Sequence, residues 1–457
     1  MKISYFKFKG LLQRRSWISP AYVGVDEQGC ICYLSTDPPS ETFAMDSVDG
    51  FALPGFQNAH SHAFQYAMAG LAENHPSGTH DDFWTWREAM YQCALSVDPD
   101  QVEAIATMLY AEMLRHGYTH VAEFHYLHHD KEGKPYDDLA EMGGRLVAAA
   151  HTAGIKITLV PVFYQQGTFG KPPQLRQRRF ISSSAEAYLK LVEASAKITG
   201  SYSHASLGFS VHSLRAVALE DIRATFSEAP SHLPFHLHVA EQQKEVNDCL
   251  AYCGRRPMQW VLDNLPVDGR FHLVHATHLD DSELSRLATS GGHVVLCPST
   301  EGNLGDGIFR MKEYVNLGGH WSIGTDSHIG IDPLEELRMI DYRQRLLTHQ
   351  RNTFSGDAAA YLIGAAVHSG RQAMGLHYPD NFNPGSPFDA VVFDGQSPLL
   401  QSTSAAHRAA TILYASDSYH RLGTLVAGKW IVKKNRHEKE AQIKQAFNRV
   451  LHQLSTR

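Results

Sequence analysis

Several stretches of this sequence set histidine, arginine or carboxylate side chains at the ends of short apolar runs. The first, Pro54-Gly55-Phe56-Gln57-Asn58-Ala59-His60-Ser61-His62, reads as a strand running into a His-x-His pair. On an extended backbone, residues two apart point to the same side, so both imidazoles can reach one ion. The chain holds 28 histidines in 457 residues, so such a pair arises by chance and gains meaning only from its company. That company is regular. His212 and Arg215 follow the run 206–211, and His238 and Glu241 follow the run 234–240. His275 closes the run 271–276, and Asp326 comes directly after Gly324-Thr325. Histidine nitrogens and a carboxylate gathered at one rim, with a position left for water, form the donor set of a catalytic divalent metal. The same set suits zinc, Fe(II) and Mn(II).

Some of these positions carry neighbours of the same type. His236 and His238 share a face of their strand; His238 stands nearer the C-terminal end and is the better ligand candidate, with His236 a core or supporting residue. Among His272, His275 and His278, it is His275 that ends the apolar pair Leu273-Val274. Asp326, read alone, is a turn or cap residue. Glu241 lies three residues past His238, the place for a general acid/base beside a metal site.

The elements needed to position these groups follow from the pattern. Strand-like runs at residues 55–59, 118–124, 155–163, 206–211, 234–240, 271–276, 293–297 and 320–325 are separated mostly by helical stretches. In residues 100–116, Val102, Ile105, Leu109 and Met113 recur at helical spacing before Gly117, and residues 138–153 form a second helix closed by Gly154. Eight strand-helix units predict a (β/α)₈ TIM-like barrel over residues 54–379, with chemistry at the C-terminal ends of its strands. Residues 1–53 read as edge strands of a small β-unit, and 380–436 return to β texture with strands at 388–394 and 425–432. The two flanks are expected to form a composite β-sandwich. Residues 437–457 carry Ile443, Phe447, Val450, Leu451 and Leu454 on one helical face, predicting a docking helix. The aromatic segment Asp82-Phe83-Trp84-Thr85-Trp86-Arg87 is expected as a loop or short helix near the mouth of the site.

Composition narrows the class. Hydrophobic content of 43% and charge of 19% fit a soluble globular protein. The net charge of -7, without a basic block, argues against a nucleic-acid partner. The six cysteines form no CxxC pair, a pattern of reducing compartments. The N-terminus lacks a signal core and no apolar run reaches about 18 residues, so a cytoplasmic protein without membrane contact is expected.

On these residues the sequence resembles the amidohydrolase superfamily. His60-x-His62, His238, His275 and Thr325-Asp326 match its pattern, and His238-Val239-Ala240-Glu241 matches its single-metal deaminase branch. The resemblance covers nearly the whole chain and implies the barrel with a β-sandwich. It implies His60, His62, His238 and Asp326 as metal ligands for one divalent ion, zinc first, with Fe2+ or Mn2+ accepted by the same donors. It implies Glu241, His275 and Asp326 as catalytic residues, and Gln65, Tyr126, His212 and Arg215 as substrate contacts. The stretch Phe124-His125-Tyr126 leaves the register of the tyrosine open. No lysine stands in Phe209-Ser210-Val211-His212, where two-metal members carry one. The stretches Phe83-Trp84-Thr85-Trp86 and His212-Ser213-Leu214-Arg215 are similar to members acting on N-formimino amino acids. They imply hydrolysis of N-formimino-L-glutamate to N-formyl-L-glutamate and ammonia, a step of histidine degradation, with a small anionic substrate as partner and a homodimer as assembly. The alternatives are a deaminase of a neutral heterocycle, with substrate choice resting on Arg215, Gln65 and Trp84/Trp86, or a barrel kept only for binding.

Overall fold

The computed structural model describes residues 2–40, 44–73, 83–351 and 353–454, with the side chains of Trp84 and Thr85 outside that description. Asp82 and the last three residues of the predicted terminal segment also lie outside it.

Eight parallel strands follow one another around a barrel: β1 (Phe56–Ser61), β2 (Tyr118–His125), β3 (Lys156–Phe163), β4 (Phe209–Ser213), β5 (Phe235–Val239), β6 (Phe271–His275), β7 (His293–Leu296) and β8 (His320–Ile323). A short strand, Ala205–Leu207, also pairs with β3 just ahead of β4. All eight residues of β2 and of β3 are buried, as parallel strands covered on both faces require. The connecting helices carry the punctuation expected of them. Helix Pro99–His116 opens on a capping box between Asp98 and Gln101 and ends at Gly117 with φ 101°.

The barrel closes between β8 and β1 through backbone contact. Thr325 N and Asp326 N donate to His60 O at 3.1 and 3.0 Å. The Asn58 side chain laces the same seam, accepting from Thr325 N at 3.0 Å and donating to Thr325 Oγ1 at 2.7 Å. A Cβ on Gly324 would stand 2.7 Å from His60 Cβ and 2.9 Å from the His60 backbone, so only glycine permits this approach.

The chain's two ends build one continuous sheet. Ser4–Gln13 lies between Met45–Pro54, to which it runs parallel, and Ala21–Val25, to which it runs antiparallel. Met45–Pro54 then pairs with Ala390–Asp394, which pairs with Arg421–Val426. Ser4–Gln13 is thus an interior strand, whereas Ile31–Ser35 ends the sheet as an edge. Ile31 N donates to Ser386 O and Phe388 N to Gly29 O, both at 2.9 Å, so the sheet curls around its own core. Phe6, Phe8, Val23, Phe388, Val392 and Leu425 fill that core.

Two local expectations are corrected. Residues 425–432 are not one strand: Ala427 and Gly428, at φ 47° and 71°, turn Arg421–Val426 back into Lys429–Lys433. Two successive positive φ values are what a tight type I′ hairpin needs. The aromatic segment is neither a loop nor a short helix. It begins the 14-residue helix Phe83–Ser96.

Helix Glu440–Gln453 buries Ile443 and Val450, and Phe447 stacks on Tyr66 at 5.6 Å. Among the described residues, no helix is long and apolar enough to cross a membrane.

Candidate active site

The C-terminal ends of β1, β5 and β8 converge on one point. The ligand atoms of His60, His62, His238 and Asp326 all lie within 4.8 Å of one another, and all four side chains are buried. His60 Nε2 stands 3.1 Å from His62 Nε2 and 2.9 Å from His238 Nε2, and Asp326 Oδ1 is 3.1 Å from His62 Nε2. The other ring nitrogens explain why these face inward. His62 Nδ1 donates to Phe124 O at 2.7 Å, and His238 Nδ1 donates to His212 O at 3.0 Å. With the proton on Nδ1, each Nε2 presents a lone pair. Burial, with like charges around them, holds His60 and His238 well below the usual histidine range, so both are neutral ligands. Burial opposes ionisation of Asp326, but the imidazoles around it hold its carboxyl below the usual range. Converging neutral lone pairs repel one another unless a cation lies between them. Ligands about 2.0–2.1 Å from one ion sit about 3–3.5 Å apart, which is the spacing seen. The donor set fits a divalent metal. His275, Cys297 and Asp326 form a neighbouring group, in which burial pushes the Cys297 thiol well above its ordinary value.

The backbone around this point is strained. Ala240, His275, Ala276, Asp326 and His328 take positive φ values between 46° and 68°. Non-glycine residues rarely adopt this region, and such strain gathers where side chains must be aimed. Hydrogen bonds hold the turns: Ala276 N donates to Val239 O at 3.1 Å, and His278 N to Ala240 O at 3.0 Å.

Beside the ligands stand Glu241 and His275. His275 Nε2 is 3.7 Å from both Glu241 Oε1 and Asp326 Oδ2. Burial disfavours a charge on His275, yet Glu241, Glu301 and Asp326 push its pKa up to about 10. Burial raises the Glu241 carboxyl above its ordinary value, against the pull of His275 and Arg215.

Gln65, Tyr126, His212 and Arg215 line one cavity with His62, His238, Glu241 and Asp326. Gln65 Nε2 donates to the Tyr126 hydroxyl at 2.8 Å. Of the open triplet, Tyr126 reaches the cavity; Phe124 packs on the His60 and His238 rings, and His125 turns away against His128. Of the strand histidines, His236 is buried elsewhere with Nε2 donating to Ala373 O at 3.1 Å, and His272 stacks on His236 and His293. His278 is half-buried and does not line the cavity.

The sequence reading missed several members. Arg87 lines the cavity from helix Phe83–Ser96 and donates to the Tyr164 hydroxyl at 3.1 Å. Burial opposes ionisation of Tyr164, but Arg87 and Arg215 lower its pKa. A basic residue inside the aromatic run was the available signal for Arg87. Glu123 on β2 accepts from Ser61 Oγ and Ala63 N, each at 2.6 Å, and from Tyr110 OH at 3.0 Å. It thereby pins the loop carrying both β1 histidines, and within its run nothing distinguished it.

Comparison with known proteins agrees with this geometry. The model of the amidohydrolase family matches residues 51–431. A formimidoylglutamate deiminase of Pseudomonas aeruginosa is 44% identical over 422 residues, covering 91% of this chain and 92% of that protein. The crystal structure of an amidohydrolase from Brucella melitensis superposes with a TM-score of 0.92 at 38% identity, covering 99% of each chain. An adenosine deaminase from Xanthomonas campestris, with bound zinc, shares the fold at a TM-score of 0.79 and 20% identity, covering 98% of each chain.

Proposed function

Because the chain belongs to the amidohydrolase family, we propose that it hydrolyses the formimino group of N-formimino-L-glutamate, giving N-formyl-L-glutamate and ammonia. The observation that carries the substrate reading is the pairing of Arg215 and Arg87 on the wall of the cavity that also holds the metal-ligand group. Two guanidiniums suit a substrate with two carboxylates, each able to offer a planar fork to an anion. A neutral heterocycle would make no use of two guanidiniums on the cavity wall, which disfavours the alternative deaminase. The complete ligand and acid/base set disfavours a barrel that only binds.

His60, His62, His238 and Asp326 would hold one divalent ion, zinc being our first choice. When bound, the ion supplies a Lewis acid that lowers the pKa of water towards neutrality. The chain's own residues supply the rest. Arg215 and Arg87 hold the carboxylates, and Gln65, Tyr126 and His212 add hydrogen bonds that fix the formimino carbon. Asp326, kept ionised, accepts a proton from the attacking water. His275, charged at neutral pH, donates toward the oxygen that gains negative charge. Glu241, its carboxyl raised by burial, carries a proton to the departing nitrogen. The C–N bond breaks, ammonia leaves, and the formyl carbonyl remains on the glutamate nitrogen. We place the step in histidine degradation.

Arg215→Met tests the clamp. For N-formimino-L-glutamate kcat/KM should fall by about 100-fold or more, in keeping with lost charge-assisted hydrogen bonds of about 1.5–3 kcal/mol each. An unchanged kcat/KM would remove Arg215 from substrate capture.

A further inference from the structure

Behind His275, on the side away from the cavity, lies an ion pair between a buried carboxylate and a partly buried arginine that the reaction as described does not use. Glu301, on helix Pro298–Asn303, is 2% exposed, and its Oε1 lies 3.4 Å from His275 Nδ1. The same oxygen accepts from Cys297 N at 2.9 Å, tying the carboxylate to the start of its own helix. Its second oxygen accepts from Arg343 NH1 at 2.9 Å, and Arg343 NH2 donates to Pro298 O. Arg343 comes from a different element, helix Pro333–Thr348. Two helices of the barrel wall therefore fix one carboxylate in one orientation.

Both Glu301 oxygens act as acceptors here, Oε1 towards Cys297 N and Oε2 towards Arg343. The ring nitrogen facing Oε1 is the donor of that contact, so Glu301 anchors His275 through Nδ1. That leaves Nε2 aimed at Glu241 and Asp326, 3.7 Å from each. His275 sits at φ 68°, followed by Ala276 at φ 50°, so its backbone is held in a conformation that disfavours it. A side chain leaving such a turn needs a second anchor to keep its ring plane.

We propose that Glu301, braced by Arg343, is a positioning residue that fixes the ring orientation of His275, so that its Nε2 edge meets the reacting atoms. The inference rests on the catalytic role given to His275 above. It predicts that the pair acts on turnover rather than on substrate capture or metal retention. Nothing in it requires Glu301 to touch substrate. The Arg343 guanidinium acts only by holding the carboxylate still.

The test uses full-length, metal-loaded protein and the variants Glu301→Gln, Arg343→Lys and His275→Gln, each measured for kcat, KM, bound metal and Tm. A glutamine at 301 keeps shape but can turn its amide nitrogen towards Nδ1 or Arg343, which loosens the two-sided anchor. Glu301→Gln should lower kcat by about 10- to 100-fold, the usual effect of losing a supporting partner, with KM, metal content and Tm near wild type. Arg343→Lys keeps a charge beside Glu301 but loses the two-point fork, and should show a smaller loss of the same kind. Wild-type kcat in Glu301→Gln beside an impaired His275→Gln would overturn the positioning role alone. Loss of metal or Tm in step with kcat would also overturn it, showing a merely structural residue. Full activity in His275→Gln would overturn both the positioning role and the catalytic reading of His275.

Discussion

Glu123 offers the sharpest test of how the fold holds its metal ligands. Ser61 lies between His60 and His62, and its hydroxyl reaches Glu123 Oε2 at 2.6 Å; Ala63 N reaches Oε1 at 2.6 Å. Tyr110, from helix Pro99–His116, adds a third donor at 3.0 Å. Glu123→Ala leaves three buried donors without their acceptor, at about 1–3 kcal/mol each, so a loss of about 3–9 kcal/mol is expected. Glu123→Gln should cost less, about 1–3 kcal/mol. Its amide oxygen can still accept from Ala63 N, while the Ser61 hydroxyl rotates to accept from the amide nitrogen. The same loop aims both histidines, so metal retention should fall in the same order. Urea unfolding and the half-time of metal release to a chelator, measured on wild type and both variants, read the two effects separately. Stability within about 0.5 kcal/mol of wild type in Glu123→Ala would refute the hydrogen-bond reasoning. Lost stability with undiminished metal retention would refute the link between Glu123 and the ligands.

Three further outcomes follow from the geometry. Gly324→Ala forces a Cβ into His60 and should cost about 1–3 kcal/mol while lowering metal content below one ion per chain; wild-type metal content and Tm would contradict the close seam. Glu241→Gln should retain metal and lose most turnover, whereas normal turnover would remove Glu241 from proton delivery. His236, His272, His293 and His320 stack across β5 to β8 with ring centroids 5.0–5.2 Å apart. Burial, with His320 and His368 nearby, pushes the His293 imidazole down to about 3. Its folded pKa lies below the unfolded value, so its stabilising effect is full above about pH 6.5 and is lost as pH falls. By pH 5 this amounts to about 2 kcal/mol. His293→Leu should therefore lose less Tm than wild type between pH 7 and pH 5, and an equal loss would contradict the assignment.

The sequence carried the barrel because each strand is a short buried run and each helix is punctuated, as at Asp98 and Gly117. It carried the ligand group because its members end those runs, where the barrel gathers side chains. What it could not carry depends on register and on contacts between distant elements. The four stacked histidines look like scattered polar residues until β5 to β8 are aligned, when His236, His272, His293 and His320 fall opposite one another. Glu123 sits mid-strand with no local mark, and its partners lie 13 to 62 residues away. Glu301 and Arg343 are 42 residues apart and meet only because two wall helices pack. The hairpin at Ala427-Gly428 was hidden because alanine is a poor signal for a left-handed turn position, and the apolar run continues through it.

The central claim is that this cavity deiminates a dicarboxylate amidine. The most direct measurement is steady-state ammonia release by the metal-loaded protein from N-formimino-L-glutamate, with guanine and cytosine run in parallel. Fast release from the formimino compound alone is the predicted result. Release from either base, with none from N-formimino-L-glutamate, would contradict the account.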